Sequence, residues 1–264
     1  MTDRAQPGAQ NITVGAGYLY FAKRAADDSF GLERYFGDTP GFTINTASSN
    51  VEVFGSDDPI ATKLRDITTQ LNRSAAITAR HISRENLALM LQGDFSTLSQ
   101  AATPVADEIH TAELGQWIQL GVSDTNPVGA RSVSSVVVTV APSTVMVEGT
   151  DYEVDAELGR VYLIPAGGIN DGDSLELDYT PAAVSIEQIT SSNLEAISGR
   201  FRFVAANTEG DNRDVVIPLA TIRPNGDQAL KSGPDRTTIM ELSFELGIET
   251  LGTLAQIYMN GRPA

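Results

Sequence analysis

Apolar and polar residues alternate along much of the chain, which is the pattern of β-strands that bury one face. From Met240 to Glu249 the even positions are apolar and the odd positions are polar or glycine, within a predicted strand at 238–249. Residues 67–82 keep a similar alternation over 16 positions, whereas a typical strand has about 5–6 residues. The pattern therefore predicts a mainly β protein in which two strands are unusually long.

Shorter strands are predicted at many further positions, each bounded by turn residues such as Gly, Asn and Asp. Residues 41–54 are predicted to form two short strands around a turn at Ser48, Ser49 and Asn50. The stretch 30–58 as a whole is interpreted as a long loop. The remaining predicted strands are 12–23, 133–140, 152–155, 160–164, 174–180, 199–206, 213–222 and 254–259.

One helix is predicted immediately after the long strand at 67–82. Ser83 is a suitable N-cap, Glu85 lies in the first turn, and Gly93 can end the helix. The apolar stretch 87–91 supplies a face to bury. Because so short a helix is not stable alone, we expect it to pack on a sheet.

The net charge is unevenly distributed. The 264 residues carry a net charge of −16, and residues 115–182 hold ten acidic residues against Arg131 and Arg160. This acidity argues against a basic surface that binds duplex DNA. Residues 113–182 are interpreted as an inserted acidic β subdomain on the exterior, within a core formed by 1–112 and 183–264. The polar residues 1–11 are interpreted as an N-terminal arm that orders against a neighbouring subunit.

The sequence contains no arrangement of residues typical of an enzyme or a metal centre. It has no cysteine, no P-loop and no Gly-x-Ser-x-Gly elbow, and His81 and His110 lack metal-ligand spacing. Residues 170–173 and 211–214 are rich in Asp, but they fit tight turns better than calcium loops. His81 is predicted to lie on the buried face of its strand. We therefore expect no catalytic residue, no metal site and no cofactor.

Four blocks of sequence resemble, in the same order, parts of the major tail tube proteins of long-tailed bacteriophages. Together they span most of the chain. The blocks are Glu-Arg-Tyr-Phe-Gly-Asp-Thr-Pro-Gly-Phe-Thr at 33–43, Ser-Arg-Glu-Asn-Leu-Ala-Leu at 83–89, Gly-Thr-Asp-Tyr-Glu-Val-Asp at 149–155 continuing to Gly-Arg-Val-Tyr at 159–162, and Gly-Asp-Asn-Arg-Asp-Val at 210–215 followed by Pro-Asn-Gly-Asp at 224–227.

The resemblance implies a tail-tube-type β-sandwich with one short flanking helix, whose copies form hexameric rings. Each subunit would lend strands to an inter-subunit β-barrel, and the stacked rings would form the conduit for DNA ejection. The implied partners are further copies of the chain, the tail terminator, tape measure and distal tail proteins, and DNA in transient, non-specific passage, without a membrane. The implied location is the virion tail, assembled in the cytoplasm of a bacterial host.

Three groups of residues are expected to take part in assembly. Apolar residues of the long strands are expected in the inter-subunit barrel: Ile67, Leu71, Ile77, Leu242 and Phe244. The inter-ring loop is expected to include Arg34, Tyr35, Phe36, Gly37 and Phe42. The lumen is expected to be lined by Glu241, Glu245 and Glu249, although salt bridges with a neighbouring strand would explain these glutamates as well.

Other functions fit the same patterns. A contractile-tail tube, a capsid decoration protein or a pilus subunit would also be built from strands that pair between copies. Residues 115–182 could instead form a small receptor- or carbohydrate-binding sandwich. An enzyme on a β scaffold is a third class. Electron microscopy of the purified chain separates these classes most cheaply, because rings or tubes would settle the matter.

Overall fold

The computed structural model describes residues 13–57, 59–191, 196–236 and 239–262. The prediction of a mainly β protein with one short helix is confirmed. In chain order the elements are β1 (Gly17–Lys23), β2 (Arg34–Tyr35), β3 (Gly41–Phe54), β4 (Lys63–Ala79), α1 (Arg84–Met90), β5 (Asp94–Gln100), β6 (Val105–Thr111), β7 (Trp117–Gln119), β8 (Val133–Val140), β9 (Thr144–Val145), β10 (Tyr152–Asp155), β11 (Arg160–Leu163), β12 (Ser174–Pro181), β13 (Val184–Thr190), β14 (Ile197–Ala205), β15 (Arg213–Pro224), β16 (Leu242–Ile248) and β17 (Tyr258–Gly261).

The chain divides into two compact units. The first unit consists of Met1–Phe95 and Ile189–Ala264, and the second unit is Ser96–Gln188. The second unit is thus longer at both ends than the predicted insertion at 113–182. It starts earlier because β6 pairs with β12 inside it, and it extends further because β13 pairs with β5. The exterior position of this unit stays a prediction.

The first unit contains one antiparallel sheet of eight strands. The strand order is β2-β1-β14-β15-β16-β4-β3, and β17 also pairs with β15. β15 is long enough to pair with β17 near its start and with β16 near its end. Among the described residues the sheet does not close into a barrel, so β2 and β3 are left as its two edges.

The apolar core of the first unit lies on one face of this sheet, together with α1. Phe21 stacks on Phe201 with ring centroids 4.7 Å apart, and Phe36 meets Phe244 edge-on at 5.6 Å. Leu89 of α1 is buried in the same cluster. Because so short a helix is not stable alone, packing of its apolar face on the sheet stabilises it.

The predicted helix start is confirmed. The backbone N–H of Asn86 donates to Ser83 Oγ at 3.2 Å, which is the hydrogen bond of an N-cap. His81, just before the cap, is exposed, so the prediction of a buried His81 is wrong. The reason is that β4 ends at Ala79, and the chain leaves the sheet there to enter the helix.

The prediction of a turn at 48–50 is also wrong. β3 is a single strand that pairs with β4 along its whole length, with an irregularity between Ser49 and Asn50. Because β4 runs from Lys63 to Ala79, it offers β3 a paired strand along almost its whole length, and this ladder outweighs the turn preference of a few polar residues. Much of the stretch 30–58 is therefore strand rather than loop.

Besides the pair β13-β5, the described part of the second unit contains two small antiparallel sheets with one shared apolar core. Their strand orders are β10-β11-β7 and β6-β12-β8-β9. Leu163 of β11 and Leu175 and Leu177 of β12 are fully buried in that core. Since side chains alternate along a strand, the opposite face of each sheet points away from the core.

Candidate assembly surface

The paired strands β3 and β4 extend beyond the core as a long hairpin. Every residue at 43–54 and 63–72 is exposed, whereas Ala75, Ile77 and Ala79 at the other end of β4 are buried. The outer side of β3 is also an edge of the sheet, which presents unpaired backbone N–H and C=O groups. A two-stranded hairpin is only marginally stable in water by itself. This part of the chain therefore lacks the cover that strands normally need.

One face of the hairpin next to its connecting turn carries apolar residues, with Arg65 opposite Val53 in the register. Val51 pairs with Ile67, and Val53 lies two residues further along the same face. Phe54 and Leu64, next to the connecting turn, are exposed as well. An exposed apolar face of this kind is a candidate contact surface. Sequence reasoning missed this face, although the alternation Val-Glu-Val at 51–53 was the signal for it.

The opposite face of the same segment is charged. Lys63 Nζ contacts Glu52 Oε1 at 2.6 Å and Asp66 Oδ2 at 2.9 Å. These two hydrogen bonds, that with Glu52 being the stronger, raise the pKa of Lys63. The bond to Glu52 crosses from β4 to β3 and so helps to set the register of the hairpin, whereas the bond to Asp66 stays within β4.

The structure divides the predicted inter-subunit residues into two groups. Ile67 and Leu71 lie on the hairpin, with 41% of Ile67 exposed. Ile77, Leu242 and Phe244 belong to the core of the first unit, and Ile77 is 1% exposed. Their side chains are covered within one chain, and the role of their strands in an inter-subunit barrel stays a prediction. The apolar faces of β16 and of the last part of β4, from Ala75 to Ala79, are already covered within one chain.

The residues predicted for an inter-ring loop lie in or beside β2, and most of them contact the core. Phe36 is fully buried, and Phe42 packs partly buried against the core. Arg34 Nη2 donates to Asn86 Oδ1 at 2.9 Å, while half of Tyr35 is exposed on the other face. The expected loop is thus a segment docked on α1, and its role between rings stays a prediction.

Asn86 fastens this segment to the helix. Its fully buried amide Nδ2 donates to the carbonyl oxygens of Phe36 at 2.8 Å and of His81 at 2.9 Å. Burial lowers the pKa of Arg34, which supplies the third hydrogen bond. Gly37 has φ +100°, and a Cβ there would lie 2.2 Å from the Cβ of His81, so only glycine fits.

The glutamates predicted to line a lumen share the sheet face opposite the core: Glu241, Glu245 and Glu249. Glu241 forms an ion pair with Arg80 Nε at 2.9 Å. Glu249 Oε1 accepts a hydrogen bond from Thr221 Oγ1 at 2.5 Å, and Glu245 lies opposite Arg223 in the sheet register. The charge of Glu241 is thus balanced locally. The position of all three in an assembled tube stays a prediction.

A second surface, which the sequence did not predict as a site, lies on the outer face of the sheet β10-β11-β7. Register places Glu153, Tyr162 and Trp117 in one row across the three strands. The rings of Trp117 and Tyr162 are 5.2 Å apart, and Trp117 is 47% exposed. The Arg160 guanidinium lies 4.7 Å from the Trp117 ring and is paired with Asp155 at 2.8 Å. The sequence did contain a signal for this surface: the chain's only tryptophan lies in a segment where apolar and polar residues alternate.

Glu108 links the four-stranded sheet of the second unit to the segment that follows β7. Its carboxylate accepts hydrogen bonds from Tyr179 Oη at 2.6 Å and from the Gly121 N–H at 3.1 Å, and His110 Nε2 lies 2.8 Å away. Partial burial alone would raise the pKa of Glu108, but the bonds with His110, Tyr179 and Gly121 together hold it below its usual range. Burial and the adjacent Glu108 raise the pKa of Tyr179.

Aspartates in the segment 170–173, which was interpreted as a turn, accept hydrogen bonds from backbone N–H groups. Asp171 Oδ1 accepts from the Leu114 N–H at 2.7 Å, and Asp173 Oδ2 accepts from the Asn170 N–H at 2.8 Å. In the ranges that the structure describes, no group of three or more His, Asp or Glu side chains could hold a metal ion. No helix in those ranges has the length and apolarity needed to cross a membrane.

Comparison with known families gives one match. Residues 12–225 match the family described as protein of unknown function UCP028589. No curated protein matches the chain. Since the match covers most of the 264 residues, the chain belongs to this family of proteins of unknown function.

Proposed function

We propose that the chain is a structural subunit that polymerises through its strands, in the manner of the tail tube proteins of long-tailed bacteriophages. The observation that carries this proposal is the β3–β4 hairpin, which is exposed on both faces at 43–54 and 63–72. A hairpin of this kind is marginal in isolation, and natural proteins cover or break such edges. Further copies of the same chain would supply the cover.

The open sheet supports the same proposal. β3 is an edge strand of 14 residues, and the eight-stranded sheet does not close among the described residues. If the sheet of each copy continued into that of the next copy, a closed ring would leave no edge. Head-to-tail contacts between identical subunits produce rings or filaments, according to whether the rotation closes.

The sequence blocks that resemble tail tube proteins coincide with these elements. The block at 33–43 contains β2 and leads into β3, and the block at 210–215 enters β15. The first unit holds 20 acidic and 16 basic residues, and this mild acidity suits a conduit through which DNA passes without being held, because basic contacts would add salt-dependent affinity. The proposed product is a stack of hexameric rings around a lumen.

The test compares the full chain with hairpin variants by light scattering and negative-stain electron microscopy. We expect rings or tubes from the unmodified chain. Ile67→Asp should give folded monomers, because assembly would bury an unpaired charge. The matched control is Leu230→Asp, at an exposed apolar residue outside the hairpin, which should assemble normally. Monomers at every concentration of the unmodified chain, or normal tubes from Ile67→Asp, would refute the proposal.

A further inference from the structure

The outer face of the sheet β10-β11-β7 has the geometry of a binding platform. Trp117, Tyr162 and Glu153 form a row that crosses three neighbouring strands. Adjacent strands are about 4.8 Å apart, so the row is about 10 Å long, which is the extent of two linked sugar rings. Two aromatic rings, inclined at 45° to each other, therefore lie beside a carboxylate on one sheet face.

Buried side chains and hydrogen bonds hold the strands of this face in place. Val161 and Leu163, on the other side of β11, are fully buried in the core of the second unit. Gln119 Nε2, in the next row, lies within hydrogen-bonding distance of the carbonyl oxygens of Leu158 and Gly159, both at 3.0 Å. The strands that carry the rings are thus fixed before any ligand arrives, which lowers the entropic cost of binding.

We propose that this face binds an oligosaccharide of neutral or amino sugars. The C–H face of a pyranose ring would stack on Trp117 and Tyr162, and its hydroxyl or amine groups would form hydrogen bonds with Glu153. A few directed polar groups beside an apolar surface are the usual composition of such sites. This inference does not depend on the proposed polymerisation.

The charge of the second unit selects among sugars. Ser96–Gln188 holds 14 acidic residues and two arginines, a net charge of −12, whereas the rest of the chain holds 20 acidic and 16 basic residues, a net charge of −4. A surface of this charge repels nucleic acids and acidic polysaccharides. It accepts neutral sugars and attracts amino sugars.

A basic peptide is the other occupant that the charge would favour. However, Arg160 already lies over the Trp117 ring and is paired with Asp155. Arg160 thus already occupies the position above the indole ring where a cation of a bound peptide would lie. The exposed remainder of the aromatic pair suits an uncharged ring better, so we assign a sugar rather than a peptide.

The single tryptophan makes the experiment specific, because intrinsic tryptophan fluorescence reports this face alone. The full chain is titrated with hexasaccharides of N-acetylglucosamine, glucosamine, glucose and galacturonate. We expect a saturable change with at least one of the first three, with a Kd in about the millimolar range, and none with galacturonate. Calorimetry on Tyr162→Ala and Trp117→Ala should show affinity weakened by more than about tenfold.

Ile109→Ala is the matched control, since Ile109 is exposed on the outer face of the other sheet, and it should bind normally. If Trp117→Ala fails to fold, Trp117→Phe keeps a stacking ring and should bind with intermediate affinity. The proposal is overturned by no saturable response to any non-acidic sugar up to about 10 mM. It is also overturned by binding of galacturonate, by a response to oligolysine alone, or by sugar affinity that survives Trp117→Ala.

Discussion

Replacing Asn86 with alanine should destabilise the first unit more than an ordinary point substitution does. The Asn86 side chain is fully buried and makes three hydrogen bonds, to Phe36 O, to His81 O and from Arg34 Nη2. Alanine fills part of the space but satisfies none of these groups. The segment around β2 would then lose its polar attachment to α1.

The size of the effect follows from the burial of each partner. A buried polar group without a partner costs about 1–3 kcal/mol. His81 is exposed, so water can reach its carbonyl group, whereas Phe36 is fully buried and the Arg34 guanidinium is mostly removed from water. Two groups therefore carry the cost, and we expect a loss of about 3 kcal/mol, against about 1 kcal/mol for a typical substitution.

The assay is urea unfolding followed by two signals. Far-ultraviolet circular dichroism follows the whole chain, while the fluorescence of Trp117 follows only the second unit, which should unfold unchanged. Ser83→Ala, which removes only the N-cap, should cost about 1 kcal/mol. A double-mutant cycle of Asn86→Ala with Arg34→Met should give a coupling energy of about 1–3 kcal/mol. A loss below about 1 kcal/mol for Asn86→Ala would refute this account of the contact.

Three further predictions concern other parts of the chain. Ile77→Asp should unfold the first unit, at a cost above about 3 kcal/mol, whereas Ile67→Asp should change the unfolding free energy by less than about 1 kcal/mol; equal losses in urea titrations would contradict the assignment of core and surface. Because the folded pKa of Glu108 is lowered, its contribution to stability is present above the unfolded value of about 4.3 and is lost as pH falls through the folded pKa. The difference in stability between the unmodified chain and Glu108→Gln should therefore shrink in acid, and a difference that is constant from neutral pH into acid would exclude this role. Gly37→Ala should cost about 2 kcal/mol or more, since it combines a positive φ with a steric clash; unchanged thermal unfolding would show that the segment can shift.

The sequence by itself determined several of the strands and the start of the helix, but it missed the strands at 94–100, 105–111 and 184–190. Residues 133–140 and 152–155 were predicted with the bounds that β8 and β10 have, and the helix was predicted to begin after Ser83. These features depend on local alternation and on capping by a neighbouring side chain. Such interactions involve residues close together in the chain, so a single sequence contains the information for them.

Only the tertiary structure decided which apolar faces are covered within one chain. Ile67 and Ile77 belong to one alternating strand, yet one is exposed and the other is buried. The difference arises because β16 pairs with only the last part of β4, from Ser74 to Ala79. β16 lies far from β4 in the sequence, so the cover of Ile77 comes from a distant segment of the chain. The single strand at 41–54 and the docking of Phe36 have the same origin. Alternation in the sequence indicates that one face of a strand is apolar and needs to be buried. Which element buries it depends on pairings between residues far apart in the chain.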